Sequence, residues 1–358
     1  MIKMALFRKS VIIFIGFVFI VSACGKTSEN PSSSGSSATT GSTAASGSSA
    51  AKNRTEKIVL KAGLVTADNE PLTVYANKLA ESVKQRTDGQ IEIEVYANST
   101  LGHTLDVIQQ VAAGAPVLSY ADGASLAEFV ADLGILQGPY LINRPEDFTK
   151  IVASDWFEEV NNQMKDKGVR ILSFNWYYGA RHMISWKEIR NPDDLKGLNV
   201  RIPAVPMWKE TVTAMGGNPV ELPWSEVYTA LQTKVVDAAE APLATLYGSK
   251  LHEVAKVIST TGHFKSVGAF VMSEQVFNSI PEDLQAILLE EFEKFGAEES
   301  AAAIQADLEW KKKLEDEGAQ FVEDVDVKAF QEATKAVYTK FPEWTPGLHD
   351  RVSSYVQP

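Results

Sequence analysis

The chain of 358 residues contains a single cysteine, Cys24, which excludes an intrachain disulfide, a redox pair and a cysteine cluster for a metal. Histidine is nearly as scarce. His103, His182, His252, His263 and His349 show neither His-x-x-x-His nor His-Glu-x-x-His spacing, so the common zinc-hydrolase signatures are missing. No Gly-x-Ser-x-Gly stands in a strand-to-helix context and no glycine-rich phosphate loop is present, so neither an activated serine nor a nucleotide site is announced. Excess positive charge is lacking as well. The formal charge of −12 opposes nucleic-acid binding but leaves room for a local basic pocket. The expectation is a protein that is not an enzyme and needs no cofactor or metal.

The long apolar run is confined to the start of the chain. Lys3, Arg8 and Lys9 precede an apolar stretch over 11–21, a layout that predicts an export signal over 1–23, too short for a typical membrane span. Val21-Ser22-Ala23-Cys24 fits the bacterial lipobox, in which the cysteine thiol is acylated and becomes the first residue after cleavage. The plainer alternative is an ordinary signal peptide beside an incidental cysteine. Residues 26–51 are dominated by Ser, Gly, Thr and Ala, which bury too little apolar surface to offset ordering entropy. A lipidated tether over 24–54 is therefore expected, holding the protein at the extracytoplasmic face of the cell membrane, in a periplasm or at the cell surface.

From about residue 55 onward the chain exceeds the size that one hydrophobic core usually serves, so two lobes are expected. Strand patterns at 57–65, 91–95 and 117–121 alternate with helical patterns at 72–83 and 104–113. A second set comprises a helix over 156–167, strands over 169–174, 182–186 and 198–202, and a helix over 223–233. In that last helix Trp224, Val227, Tyr228 and Leu231 would share a face. Alternation of this kind predicts an α/β architecture with a mostly parallel sheet. A helical pattern from 281 to 317 is longer than an ordinary globular helix.

The densest motifs lie between residues 197 and 263. Arg201-Ile202-Pro203 ends a predicted strand, and Glu226-Val227-Tyr228-Thr229-Ala230-Leu231-Gln232 and Glu240-Ala241-Pro242 follow. An arginine fixed at a strand end offers paired N–H donors that match both oxygens of a carboxylate, which lysine cannot do. Thr87-Asp88-Gly89, Leu101-Gly102 and Gly179-Ala180-Arg181 add weaker signals upstream. Together these runs resemble the solute-binding proteins of TRAP transporters, the DctP family, from about residue 57 to the C-terminus.

The resemblance implies a two-lobed, periplasmic-binding-protein-like (Venus flytrap) fold with a long interlobe helix. It implies a first lobe of 55–177 with about 267–306 and the C-terminal helix, and a second of 178–266 with about 307–334. It implies that Arg201 grips the ligand carboxylate and that Arg181 contacts it too, although a surface cation beside buried aromatics is the alternative for Arg181. Trp224 matches a ligand-facing aromatic but fits core spacing equally well. Asp122 and Asn69 match first-lobe hydrogen-bonding positions, and each is also an ordinary loop residue. Glu240 is read as structural or hinge-related, with direct ligand contact as the further candidate role, and His263 as a packed or hinge residue. Sugar-acid members carry asparagine where this chain has Ala241, which weakens the case for a ligand that needs that amide.

The resulting expectation is an extracytoplasmic lipoprotein that captures a small organic acid and delivers it to the membrane permease subunits of a TRAP-type secondary transporter. An ABC-importer component, an extracellular enzyme acting on anionic sugars, and a sensor that presents its ligand to a receptor kinase are the alternatives.

Overall fold

The computed structural model describes residues 57–356 except Asn143. The signal segment, Cys24 and the tether lie outside the described residues. Nine strands form one sheet: β1 (Ile58–Gly63), β2 (Ile91–Tyr96), β3 (Val117–Asp122), β4 (Val169–Ser185), β5 (Asn199–Ile202), β6 (Asn218–Glu221), β7 (Ala238–Pro242), β8 (Val257–Ser273) and β9 (Gln320–Val322). Their order is β2-β1-β3-β8-β4-β7-β5-β6, with β9 pairing β8.

Each end of this sheet is parallel, because helices connect β1 to β2 to β3 and β5 to β6 to β7. The middle is antiparallel. Strands β4 and β8 run 17 residues each and pair with one another, while β8 also pairs β3 and β4 also pairs β7. The expected mostly parallel sheet is thus corrected to a mixed one, since two long strands join the parallel ends. The predicted separate strands at 169–174 and 182–186 are both parts of β4. The sequence between them stays in the sheet by slipping register, notably between Tyr177 and Gly179. Gly179 has φ +124°, and a Cβ there would come within 2.8 Å of Pro242, so a side chain is excluded where the two strands press together.

A helix of 35 residues, Glu282–Asp316, ties the two ends of the fold together. Its Leu284, Leu288, Phe292 and Phe295 enter the core under β1, β2 and β3, whereas Trp310 and Leu314 enter the core beside β7. The architecture is α/β and two-lobed, with β4, β8 and this helix shared between lobes.

Behind the sheet crossing, the helix Pro71–Arg86 of one lobe meets the helix Leu243–Gly248 of the other. Glu70, just before the first, accepts hydrogen bonds from the Ala67 N–H at 2.8 Å and the Thr245 hydroxyl at 2.6 Å. The Thr245 hydroxyl also sits 3.0 Å from the Tyr178 hydroxyl. Glu70 is 1% exposed, and burial pushes its carboxyl up to about 7, against the lesser pull of these two donors.

A raised carboxyl means that the folded state holds a proton that the unfolded chain has already lost. Its stabilisation is therefore complete below about pH 4.5 and disappears as the pH rises through about 7. The span corresponds to about 3 kcal/mol. Glu70→Gln should lose that much less stability than the parent between about pH 4.5 and 8 in urea titrations. Parallel pH profiles for the two proteins would refute the assignment.

Candidate functional site

A cavity of about 410 Å³ opens between the lobes, at the ends of β3 and β5 and beside the middle part of β4. Among the sequence-predicted residues, Arg181, Arg201, Trp224 and Asp122 all line it. Asn69 is exposed in the turn before Glu70 and is not part of the lining, and Glu240 lies fully buried behind the wall.

Arg201 stands on β5 between Val200 and Ile202, whose side chains are wholly buried. Strand β6 continues the ladder past its own end, with the Leu222 N–H bonding the Ile202 carbonyl at 3.0 Å. That contact brings the Leu222 carbonyl to the guanidinium, and Arg201 Nε donates to it at 2.9 Å. The indole of Trp224 lies 5.1 Å from Arg201 Cζ, in cation–π range, while its Nε1 donates to Ser249 Oγ at 3.0 Å. Trp224 opens a short 3₁₀ turn, Trp224–Glu226, before the helix Val227–Gln232. The predicted single helix over 223–233 is corrected accordingly, and the tighter turn places the indole toward both the cavity and the core edge.

Arg181 is spent on a partner inside the protein. In the β4–β7 register Met183 faces Glu240 and Arg181 faces Pro242, so Arg181 reaches back along the strand to Glu240. Its Nε donates to Glu240 Oε2, and its Nη2 donates to Oε1 at 2.8 Å and to the Glu240 carbonyl at 3.0 Å. Trp208 Nε1 donates to the same Oε1 at 3.0 Å, and His263 Nε2 lies 3.4 Å from Oε2. Burial works against the charge on Glu240, but Arg181 outweighs it and pulls the carboxyl down to about 2. Burial likewise opposes the charge on Arg181, and Glu240 outweighs it, holding the guanidinium above its ordinary value. Burial lowers the pKa of His263, leaving the ring neutral at neutral pH, with its Nδ1 2.8 Å from the Thr261 hydroxyl.

Arg201 has no such partner. Among the described residues no carboxylate forms an ion pair with it, and burial brings its pKa down to about 10, with Glu240 offsetting only part of the penalty. It remains charged at neutral pH, so the cavity holds one cation whose charge is uncompensated by contact.

The opposite wall comes from the first lobe. Asp122 ends β3 and caps the helix Gly123–Leu126, its Oδ1 accepting the Ser125 N–H at 2.9 Å and its Oδ2 the Ser125 hydroxyl at 3.2 Å. Each oxygen keeps a second lone pair for a ligand hydroxyl. Sequence reasoning missed Trp208, Tyr120 and Val65, which also line the cavity. Pro206 opens the helix that carries Trp208 just beyond Arg201, and that proline is the one signal that could have pointed to it. Among the described residues, no cluster of His, Cys, Asp or Glu could hold a metal ion.

The family model for bacterial extracellular solute-binding protein, family 7 (DctP), matches residues 62–343. The chain belongs to this family. A solute-binding protein of Roseobacter denitrificans is 30% identical over 281 residues, covering 78% of this chain and 86% of its own. A TRAP periplasmic solute-binding protein of Ochrobacterium anthropi, solved with bound L-fuconate, is 34% identical with a TM-score of 0.82, over 84% of this chain and 100% of that one. Another from Fusobacterium nucleatum, solved with sn-glycerol-3-phosphate, is 33% identical with a TM-score of 0.81, over 83% and 96%. Membership in the DctP family favours the TRAP reading over an ABC-importer component. The inner pair of Arg181 and Glu240 is closed, whereas Arg201, buried as well, is left without an ion-pair partner among the described residues.

These roles predict opposite effects on stability. Glu240→Gln strands the Arg181 charge in the interior and should cost about 3–5 kcal/mol in urea denaturation. Arg201→Met removes an unpaired buried charge and should leave the ligand-free protein as stable as the parent or more so. Equal losses in both variants would make Arg201 a structural residue.

Proposed function

We propose that the protein captures a small organic acid between its lobes, with Arg201 binding the carboxylate, and hands it to the permease subunits of a TRAP-type transporter. The observation that carries this reading is the pairing pattern: of two buried arginines that line the cavity, one is neutralised by Glu240 and the other has no ion-pair partner among the described residues. Such a cation stabilises an anion strongly, because water is largely excluded and the planar fork fits two oxygens. Relatives solved with bound L-fuconate and L-galactonate support the same chemistry.

Arg181 acts as the strut that fixes the adjacent wall, and Asp122 receives ligand hydroxyls where the ligand has them. Because Asp122 and Tyr120 come from one lobe while Arg201 and Trp224 come from the other, a ligand touching both favours the closed arrangement. Lipidation at Cys24 and a tether over 24–54 would keep the loaded protein beside the permease. Release of the Cys24→Ser protein from the membrane fraction, against retention of the parent, is the expected fractionation result, and an unchanged membrane fraction would reject the anchor.

For ligand capture, calorimetry against L-fuconate, other sugar acids, C4-dicarboxylates and keto acids should find a carboxylate whose affinity falls by about 2–5 kcal/mol in Arg201→Met. The panel includes sn-glycerol-3-phosphate, and binding of that ester alone would move the anion from carboxylate to phosphate. Unchanged affinity in the variant would remove Arg201 from the ligand site.

A further inference from the structure

The cavity at Arg201 shares one wall with a second cavity. Leu105, Ser125, Ala204 and Val205 line it on one side and line the second cavity, of about 320 Å³, on the other. This annex lies away from both arginines. Its remaining walls are mostly apolar and include Ala127, Ala131, Gly134, Met207, Phe341 and Trp344.

Small side chains make part of the wall thin, and that part packs directly on Trp344. Gly134 stands where a Cβ would come within 3.3 Å of Ala127 and 3.5 Å of the Trp344 indole nitrogen. Phe341 and Trp344 stack with centroids 4.4 Å apart and planes 19° from parallel, giving a rigid aromatic wall, and Met207 supplies an adaptable one. The charged residues on the lining, Glu128 and Glu343, are both acidic. A second carboxylate entering the annex would meet like charge and no cation, whereas an uncharged apolar group would meet matching walls.

We propose that the annex is part of the ligand site and that the cargo is a monocarboxylate with an apolar or aromatic body reaching past Val205 toward Phe341 and Trp344. This rests on the carboxylate reading of Arg201 and adds the class of molecule attached to that carboxylate. The two volumes together fit the size range of pockets that hold drug-sized ligands, roughly 300–1,000 Å³.

The test is calorimetry of the full chain with a series of ω-phenylalkanoates of increasing length, with L-fuconate and succinate as the hydroxylated and dicarboxylate comparisons. Affinity should rise about threefold to fourfold for each methylene that enters the annex, following an apolar transfer of about 0.8 kcal/mol per methylene. Ala131→Trp fills the annex and should flatten that rise while leaving the shortest acids unaffected. Phe341→Ala removes one wall and should weaken only the longer acids, which keeps the test decisive if the tryptophan variant fails to fold. Binding of L-fuconate or succinate without any gain along the phenylalkanoate series would overturn the annex and leave the carboxylate reading standing. Failure of every acid to bind would overturn both.

Discussion

The Glu240 carboxylate decides the electrostatics of this protein. A carboxylate without exposure in the interior is costly unless every oxygen is paired, and here three elements converge on it. Strand β4 brings Arg181, the helix after β5 brings the Trp208 indole, and β8 brings His263. Since His263 is neutral, the cluster contains one negative charge and one positive charge that cancel at contact distance. Arg201 is then left as the cleft arginine with no ion-pair partner among the described residues, and this subtraction sets two chemically identical side chains apart. Without Glu240 both cleft arginines would be unpaired; with it, only Arg201 is.

That arrangement relies on the sheet crossing. Strand β4 belongs to both lobes, so the register that seats Arg181 opposite Pro242 also fixes how the second lobe leaves the first. Gly179 has to be a glycine because Pro242 occupies the space of its side chain, and Tyr178 beside it lines the interlobe cavity while its hydroxyl meets Thr245. Thr245 in turn bonds Glu70 of the first lobe. Ligand wall, strand crossing and interlobe contact are therefore neighbours along a few residues, which makes the geometry of the cleft sensitive to how the lobes meet.

Local patterns in the sequence carried the ends of the fold well and its centre poorly. Ile91, Ile93 and Val95 alternate with Glu92 and Glu94 because β2 is an edge strand with one wet face, and the pattern reads directly. Strand β8 has no such alternation. It is buried along nearly its whole length, so the period of two vanishes, and Thr261-Gly262-His263 in its middle looks like a turn. Strand β7 reads Ala-Ala-Glu-Ala-Pro, with low strand propensity and a charge, and it holds only because its neighbours bury it and Arg181 neutralises the charge. At the site, the residues flagged by motif, Arg201, Arg181, Trp224 and Asp122, meet in one cavity. The fate of the Arg181 charge was not legible, since its partner lies on a strand that local patterning does not reveal.

An ion pair of this kind separates two requirements that a binding protein has to meet at once. Affinity for an anion calls for a desolvated cation, yet a desolvated cation strains the empty protein. Placing one arginine in a closed pair rigidifies the wall without attracting competitors, and leaving the other uncompensated concentrates the cost in a single side chain that the ligand relieves on arrival. The lobes contribute walls of different character to the same cavity, Arg201 and indoles from one and Asp122 with Tyr120 from the other. A ligand that satisfies only the cation gains little from closure, whereas one that also fits the opposite wall binds the closed form better, and only that difference can shift the equilibrium between open and closed lobes. On the proposed role of Arg201, which any carboxylate would satisfy, discrimination among organic acids falls to the body of the molecule.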